Sequence, residues 1–135
     1  MERSHVEIYR VILPVTDIER AARFYAAVLE IPGERVSPGR HYFDCGGTIL
    51  ACYDPAADGD AVGEGWRPHS KQYLYFAAQD LESCAARVAA AGGQDVTEIR
   101  DCPWGERAFY ALDPFANPIC FVAASTEFRG GGFFR

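Results

Sequence analysis

One segment pattern occurs twice in this chain. The sequence DIERAA, which begins at Asp17, aligns with DLESCA, which begins at Asp80, at an offset of 63 residues. The alignment places Asp, a branched aliphatic residue, Glu and a helical alanine in register. Such self-similarity indicates that one supersecondary unit is used twice. Because a unit of this size leaves one sheet face uncovered, two units are expected to associate, either within the chain or across a dimer.

The first copy of the unit starts with a β-branched run, HVEIYRVILPV. It is followed by TDIERAARFYAAVLEI, whose apolar residues recur at helical spacing. Thr16 and Glu19 have the spacing of a capping box at the start of this helix. Three short strand candidates follow, and Gly46-Gly47 is a two-residue hairpin signal between the last two. These candidates lie at 33–37, 40–45 and 48–53.

The same order restarts after a loop that is rich in Gly, Pro, Asp and Ala. A strand begins near Gln72, and a helix follows that Asp80 caps and Gly92-Gly93 ends. Three more strands are expected near 95–100, 106–112 and 118–124. We therefore predict an α+β fold with two βαβββ modules in a single domain, residues 1–135. The parts are module one at about 5–54, a linker at about 55–70, module two at about 71–124 and a tail at 125–135.

Composition limits the classes of function. No apolar run approaches the roughly 18 residues of a membrane span, and the N-terminus has no apolar signal region. The net charge of −6, without a basic run, argues against nucleic acid as a partner. The five cysteines, at 45, 52, 84, 102 and 120, are an odd number and form no C-x-x-C pair. These features predict reduced thiols in a cytoplasmic protein.

The segment PWGERAFYALDPFANPICFV, together with VTDIERAARFYAAVLEI and QDLESCAARV, resembles the vicinal oxygen chelate superfamily. This superfamily includes glyoxalase I, extradiol dioxygenases, fosfomycin-resistance proteins and bleomycin-resistance proteins. The resemblance runs from Val6 to about Ala124 and implies the glyoxalase/bleomycin-resistance/dioxygenase-like fold and a homodimer. The P-W-G hairpin, the short length and the acidic charge look most like the bleomycin-resistance type. Ala116 stands where relatives have the glycine of a D-P-x-G-N turn, and a positive φ there would cost about 1 kcal/mol.

The resemblance also implies where a metal would bind. Metal-dependent relatives use four inward-facing His or Glu ligands, on the first and last strands of each module. The matching positions here are Arg10 and Tyr73 on the first strands, Leu50 or Cys52 on one last strand, and Cys120 on the other. Arginine cannot ligate a metal and leucine has no donor atom, while tyrosine and an isolated cysteine are poor substitutes. We therefore expect no metal and no cofactor.

Two of these side chains have alternative interpretations. Cys120 is expected to be a small buried hydrophobe more than a nucleophile, since no histidine lies near it in sequence. Arg10 either pairs with a carboxylate such as Glu98 or Glu106, or is available to a ligand anion or an aromatic ring.

The three histidines, His5, His41 and His69, fall on none of the ligand positions. We expect them to be solvated residues in loops or at strand edges.

Aromatic residues are the expected lining of the cleft. Period-two alternation puts Tyr73 and Tyr75 on one strand face and Leu74 and Phe76 on the other. By the family comparison, the tyrosines face the cleft and the other pair faces the helices. Rings of this kind favour flat, partly cationic molecules.

Trp66 in the linker and Trp104 before the hairpin are candidate walls or lids of the cleft. The tail STEFRGGGFFR combines three glycines with a phenylalanine pair, and it is a candidate gate that docks over the cleft or the dimer seam.

The sequence thus predicts a homodimer that binds a small molecule without metal, and that sequesters an aromatic or cationic toxic compound or antibiotic. A metal-dependent lyase, isomerase or dioxygenase and a structural or regulatory dimer with a vestigial cleft are the alternatives. The predicted ligand-binding residues are Arg10, Leu50, Cys52, Trp66, Tyr73, Tyr75, Trp104 and Cys120.

Overall fold

A computed structural model describes residue 2 and residues 4–128. Its elements follow the βαβββ order twice, as the repeat predicts. The first module contains β1 (Arg10–Pro14), α1 (Ile18–Leu29), β2 (Glu34–Ser37), β3 (Arg40–Cys45) and β4 (Thr48–Tyr53). The second contains β5 (Leu74–Ala78), α2 (Leu81–Ala90), β6 (Arg100–Asp101), β7 (Arg107–Leu112) and β8 (Pro118–Ala123), followed by a 3-10 turn (Ala124–Thr126).

Each module forms one mixed four-stranded sheet with the same topology. The strand orders are β1-β4-β3-β2 and β5-β8-β7-β6. In each sheet the first and last strands of the module pair in parallel, and the remaining pairs are antiparallel. The first strand of each module is therefore an edge strand, with one side open to another chain.

The helices begin at equivalent aspartates. Asp17 caps α1 by accepting the amide of Arg20 at 3.1 Å, and Asp80 caps α2 by accepting the amide of Ser83 at the same distance. The cap at Asp80 is confirmed, whereas the capping box at Thr16 is wrong by one residue. Its expected partner Glu19 instead forms an ion pair with an arginine of β2.

The expected strand at 95–100 is mostly absent. Asp95 has a positive φ of 50°, which breaks an extended run, and only an isolated bridge joins Gln94 to Leu112. Regular pairing with β7 begins only at Arg100, so β6 is limited to Arg100–Asp101.

Both sheets and both helices share one hydrophobic core. It contains buried residues from α1 and α2, and from the inward faces of β3, β4, β7 and β8. Each sheet therefore turns one face toward this core and its other face away from it. Among the largest side chains with less than 2% exposure are Phe24, Tyr25, Phe43, Phe109 and Phe121.

A buried polar cluster ties the two modules together. The Tyr25 hydroxyl on α1 donates to the carboxylate of Asp113 at 2.7 Å, in the turn between β7 and β8. The same carboxylate accepts the side-chain amide of Asn117 and the backbone amides of Phe115 and Asn117. Asn117 also donates to the carbonyl oxygen of Pro14 at 3.0 Å. The turn is thus held against the end of β1 and the middle of α1.

The turn itself contains the alanine that the sequence singled out. Ala116 has a φ of 68°, so the condition for left-handed strain at this position is met.

Within residues 2 and 4–128, neither α-helix has the length and apolar character that a bilayer crossing requires. The glycine and phenylalanine part of the proposed gating tail, residues 130–134, lies outside the described residues.

Candidate ligand-binding faces

The face of the first sheet that points away from the core is called the first open face. Strand register identifies its members, because paired residues lie on the same side of a sheet. Arg10 pairs with Ile49, and Ala51 pairs with both Ile12 and Tyr42. Its central residues are therefore Arg10, Ile12, Tyr42, Ile49 and Ala51, with Arg40 and Tyr53 at one end.

Leu50 and Cys52 do not belong to this face, and their expected position on the cleft side is wrong. Both are buried in the shared core, where Leu50 pairs with Val11 and Phe43. A shift of one residue moves every side chain of a strand to the opposite face, and the apolar run TILACY gives no polar residue that marks the correct one. Burial, with the nearby carboxylate of Asp113, raises the pKa of the Cys52 thiol far above its ordinary value.

Arg10 lies on the first open face between two tyrosine rings. Its guanidinium carbon is 5.2 Å from the ring centroid of Tyr9 and 5.5 Å from that of Tyr42. Its Nη1 donates to the Tyr42 hydroxyl at 3.3 Å. Pairing with Glu98 or Glu106 is wrong: Glu98 lies 4.0 Å from Arg100, and Glu106 accepts the indole N–H of Trp104.

The linker closes one end of the first open face. Arg40 stacks over Tyr53 at 4.1 Å from the ring centroid and forms ion pairs with Asp58 and Asp60. Trp66 packs edge to face on the same tyrosine, at 5.2 Å between ring centroids. Its indole N–H is buried and has no hydrogen-bond partner within the described part of the chain. Trp66 therefore forms a wall beside this face.

The outward side of the second sheet, called the second open face, carries three tyrosines. Tyr73 and Tyr75 are 43% and 54% exposed. Both pack edge to face on Tyr110 of β7, with centroid distances of 5.5 and 6.4 Å. The hydrogen bond with Tyr75, with some burial, raises the pKa of Tyr110 well above its usual range. Leu74 and Phe76 pack against the shared core, so the alternation is confirmed.

Cys120 lies beneath these rings and is fully buried, in a small cluster with Ala108, Val122, Cys102 and Tyr110. Its position on the second open face follows from its pairing with Tyr75 and Tyr110. Burial raises the pKa of its thiol to about 12. The thiol is therefore protonated at neutral pH and is a poor nucleophile.

Trp104 lies in the loop before β7 and is 48% exposed. Its indole Nε1 donates to the carboxylate of Glu106 at 2.7 Å. In the described residues no ring contact joins it to the three tyrosines, so the structure does not bring it into their cluster.

The histidines divide into two kinds. His5 and His69 are exposed, as expected. The expectation is wrong for His41, which lies in β3 with only 8% exposure. Its Nε2 is 2.9 Å from the carbonyl oxygen of Pro32, and its Nδ1 accepts from Arg35 at 3.2 Å. Since both ring nitrogens are engaged within the protein, His41 has a structural role.

The side chains at the metal positions of relatives do not fit a divalent ion. Arg10 begins β1 and Tyr73 directly precedes β5, Ile49 and Ala51 are the residues of β4 that face outward, and Cys120 is a buried thiol whose pKa is raised to about 12. In residues 2 and 4–128, no three His, Cys, Asp or Glu side chains are grouped to hold a metal.

Two grooves, which the sequence did not predict, lie where a strand-to-helix junction of one module meets a hairpin turn of the other. The repeat relates them, because the offset of 63 maps Asp17 onto Asp80 and Arg20 onto Ser83. One groove has a volume of about 630 Å³ and is lined by 14–17, Arg20, 66–68, Gln94 and 114–116. The other, of about 730 Å³, is lined by 28–31, 44–46, 75–80, 83–84, Arg87 and Phe121.

In the described residues, no hydrogen bond, ion pair or ring contact joins the first open face to the second. The cationic and the tyrosine-rich surfaces are therefore separate within one chain.

Solved structures share this architecture. A glyoxalase-related enzyme from Fulvimarina pelagi superposes with a TM-score of 0.73 at 22% identity, over 93% of each chain. A glyoxalase/bleomycin resistance protein from Albidiferax ferrireducens T118 gives a TM-score of 0.69 at 26% identity, over 85% of this chain and 97% of the other. A lactoylglutathione lyase from Agrobacterium tumefaciens gives 0.66 at 22% identity, over 90% and 96%.

No curated protein matches the chain at a significant level. A family model, described as the Glyoxalase/Bleomycin resistance protein/Dioxygenase superfamily, matches residues 4–121. With two βαβββ modules and a match over most of its length, the chain belongs to the glyoxalase/bleomycin resistance protein/dioxygenase superfamily.

Proposed function

We propose that this protein binds a small aromatic molecule without a metal ion and acts by sequestering it. The observation that carries the proposal is the second open face, where Tyr73, Tyr75 and Tyr110 form a partly exposed ring cluster over a buried thiol. Each ring pair of suitable geometry contributes about 0.5 to 1.5 kcal/mol beyond its buried area. Such a cluster recognises a flat ligand by stacking and edge contacts. None of its side chains is ionised at neutral pH, so none is a strong nucleophile.

The chemistry of the face supports binding over catalysis. Tyr110 and Cys120 are protonated at neutral pH even at their ordinary pKa values, and their surroundings raise both pKa values further. The residues at the metal positions lack the imidazole and carboxylate donors that a divalent ion prefers.

The biological setting of this proposal is resistance to a toxic compound or antibiotic in the cytoplasm. The name of the Albidiferax ferrireducens relative includes bleomycin resistance, which supports this type of role. The cysteines at 45, 52, 84, 102 and 120 are all free thiols, as suits a reducing compartment.

We further propose that two copies form the working unit. Apolar side chains are exposed along the edge strand β1 and the segment before it: Val6, Ile8, Tyr9 and Ile12. In the second sheet Tyr75 lies on the equivalent edge strand β5, and Tyr73 directly precedes that strand. A second copy that covers these edges would shelter both surfaces and place the first open face of one chain opposite the second open face of its partner. Sedimentation at micromolar concentration should show a dimer, and a monomer there would contradict this assembly.

The binding proposal is tested with a neutral aromatic probe, 2-naphthamide, titrated against the full chain by NMR. The double variant Y73L/Y75L should weaken binding about tenfold or more, since two stacking partners are lost. The matched control Y73F/Y75F retains both rings and should bind nearly as well. Equal affinity for the wild type and Y73L/Y75L, or no binding to either, would overturn the proposal.

Metal analysis of protein purified without chelator separates this function from a metal-dependent lyase, isomerase or dioxygenase. We expect less than about a tenth of an equivalent of any divalent transition metal per chain, given the donor set. One equivalent of metal per chain, lost when side chains of the open faces are substituted, would favour the metal-dependent enzyme over the binding protein.

A further inference from the structure

Arg10 has most of its hydrogen-bonding capacity unused. A guanidinium carries five N–H donors, and the one hydrogen bond that the Arg10 side chain makes to a described residue is to the Tyr42 hydroxyl. The rings of Tyr9 and Tyr42 hold its flat group without offering it a negative charge. Four donors are thus oriented by aromatic packing but have no acceptor in the described part of the chain.

The acidic residues around Arg10 are engaged or distant. Asp44 shares the first open face two strands away, and its carboxylate accepts the amide of Gly47 at 2.8 Å. Glu34 pairs with Tyr42 from the far side, on β2. Within the described residues, no carboxylate lies within 4.0 Å of the Arg10 guanidinium. By contrast Arg35, Arg40 and Arg107 each have a carboxylate partner at 2.7 Å or closer.

An unpaired guanidinium is costly once its surroundings exclude water, because each uncompensated donor loses its hydration. The proposed dimer would cover the first open face and create that situation. A planar, bidentate anion satisfies an arginine fork, whereas a cation is repelled by it.

We propose that the ligand is an aromatic carboxylic acid, whose carboxylate pairs with Arg10 on the first open face of one copy while its ring contacts the tyrosines on the second open face of the other copy. This inference rests on the proposed function and adds the charge of the ligand to it. Arg10 would favour acidic ligands, whereas the net charge of −6 would by itself attract cationic compounds.

Three probes of one shape test the inference: 2-naphthoate, 2-naphthamide and 2-naphthylmethylammonium, titrated at pH 7 against the full chain. We expect 2-naphthoate to bind about tenfold more tightly than the amide, and the ammonium most weakly. R10Q should remove the preference for the acid, so that the acid and the amide then bind with similar affinity, and R10K should restore only part of the preference. The control R23Q makes the same charge change at an exposed position on α1 and should alter neither value.

The outcomes separate the two proposals. Binding of the amide with no preference for the acid, or with a preference for the ammonium, overturns the role of Arg10 and leaves the proposed function intact. An acid preference that survives R10Q also overturns it. If none of the probes binds, the proposed function fails and the inference fails with it.

Discussion

The two modules are alike where they meet the shared core and different where they face outward. On the helices, the offset of 63 maps Ile18 onto Leu81 and Ala21 onto Cys84, and all four side chains are buried. These positions keep their size and apolar character because a close-packed interior tolerates little change in shape. Helix packing thus constrains the repeat on the inner side of both sheets.

The outward positions have no such constraint. The same offset maps Arg10 onto Tyr73, a cation onto an aromatic ring. The first open face centres on a guanidinium that lies against the rings of Tyr9 and Tyr42, whereas the second is formed by three tyrosines over a buried thiol. The two open faces therefore present different chemical groups, a guanidinium on one and phenol rings on the other.

The hairpin turns that contact the opposite module show the same contrast. Asp113 is fully buried and accepts four hydrogen bonds, including that of Tyr25. In the corresponding turn of the first module, Asp44 is exposed and accepts one, from Gly47. Each turn borders a groove, and the turn at Asp113 is in addition fixed by a buried polar cluster.

The largest expected effect comes from a variant that removes the centre of the buried polar cluster. D113A leaves a buried hydroxyl, a buried amide and two backbone donors without their acceptor, and it should lower the free energy of unfolding by about 3 to 5 kcal/mol. D44A removes one exposed hydrogen bond and should cost about 0.5 to 1 kcal/mol. Urea unfolding of both variants measures the difference. Equal losses would show that the two turns are energetically equivalent.

The sequence predicted the inner side of the molecule well, because repeat, periodicity and caps are local signals. The helix that begins after Asp80 depends only on neighbouring residues, and so does the alternation that turns Leu74 and Phe76 toward the core. Both features were predicted correctly.

The outer side depends on register and on distant contacts, which local patterns do not contain. Leu50 and Cys52 were assigned to the wrong face because an apolar strand shows no alternation. His41 is buried and hydrogen-bonded to Pro32 and Arg35, and the pairing of β2 with β3 brings Arg35 beside it. The two grooves exist only because each module packs against the turn of the other.

A second prediction concerns how the free energy of unfolding depends on pH through the buried thiol of the second open face. The pKa of Cys120 rises from its ordinary 9.0 to about 12 through burial. Between these values the unfolded chain has lost a proton that the folded chain retains, so the free energy of unfolding should fall as the pH rises from about 9 to about 12. Below pH 9 this contribution is fully present.

Thermal unfolding across that range measures the slope. C120A should make the fall less steep, while Cys52 and Tyr25 in the shared core still contribute, since burial raises both of their pKa values. The control V122A removes a buried, uncharged side chain from the same cluster and should lower stability by an equal amount at every pH. An unchanged slope in C120A would show that its thiol titrates normally in the fold.

The smallest expected effect concerns the backbone of the two hairpin turns. Ala116 has a φ of 68° and Gly46 a φ of 66°, so nearly the same left-handed conformation holds an alanine in one turn and a glycine in the other. A side chain in this region strains the folded state by about 1 kcal/mol. Replacing it with glycine relieves that strain, but the greater entropy of the unfolded chain cancels about half of the gain. A116G should therefore raise the free energy of unfolding by about 0.5 kcal/mol. G46A should lower it by a similar amount, because a Cβ at Gly46 meets no atom within 4 Å and only the backbone term changes. Chemical denaturation of the two single variants and the double variant measures both terms. Effects of the same sign would mean that packing around Ala116, and not its backbone conformation, determines the stability of that turn.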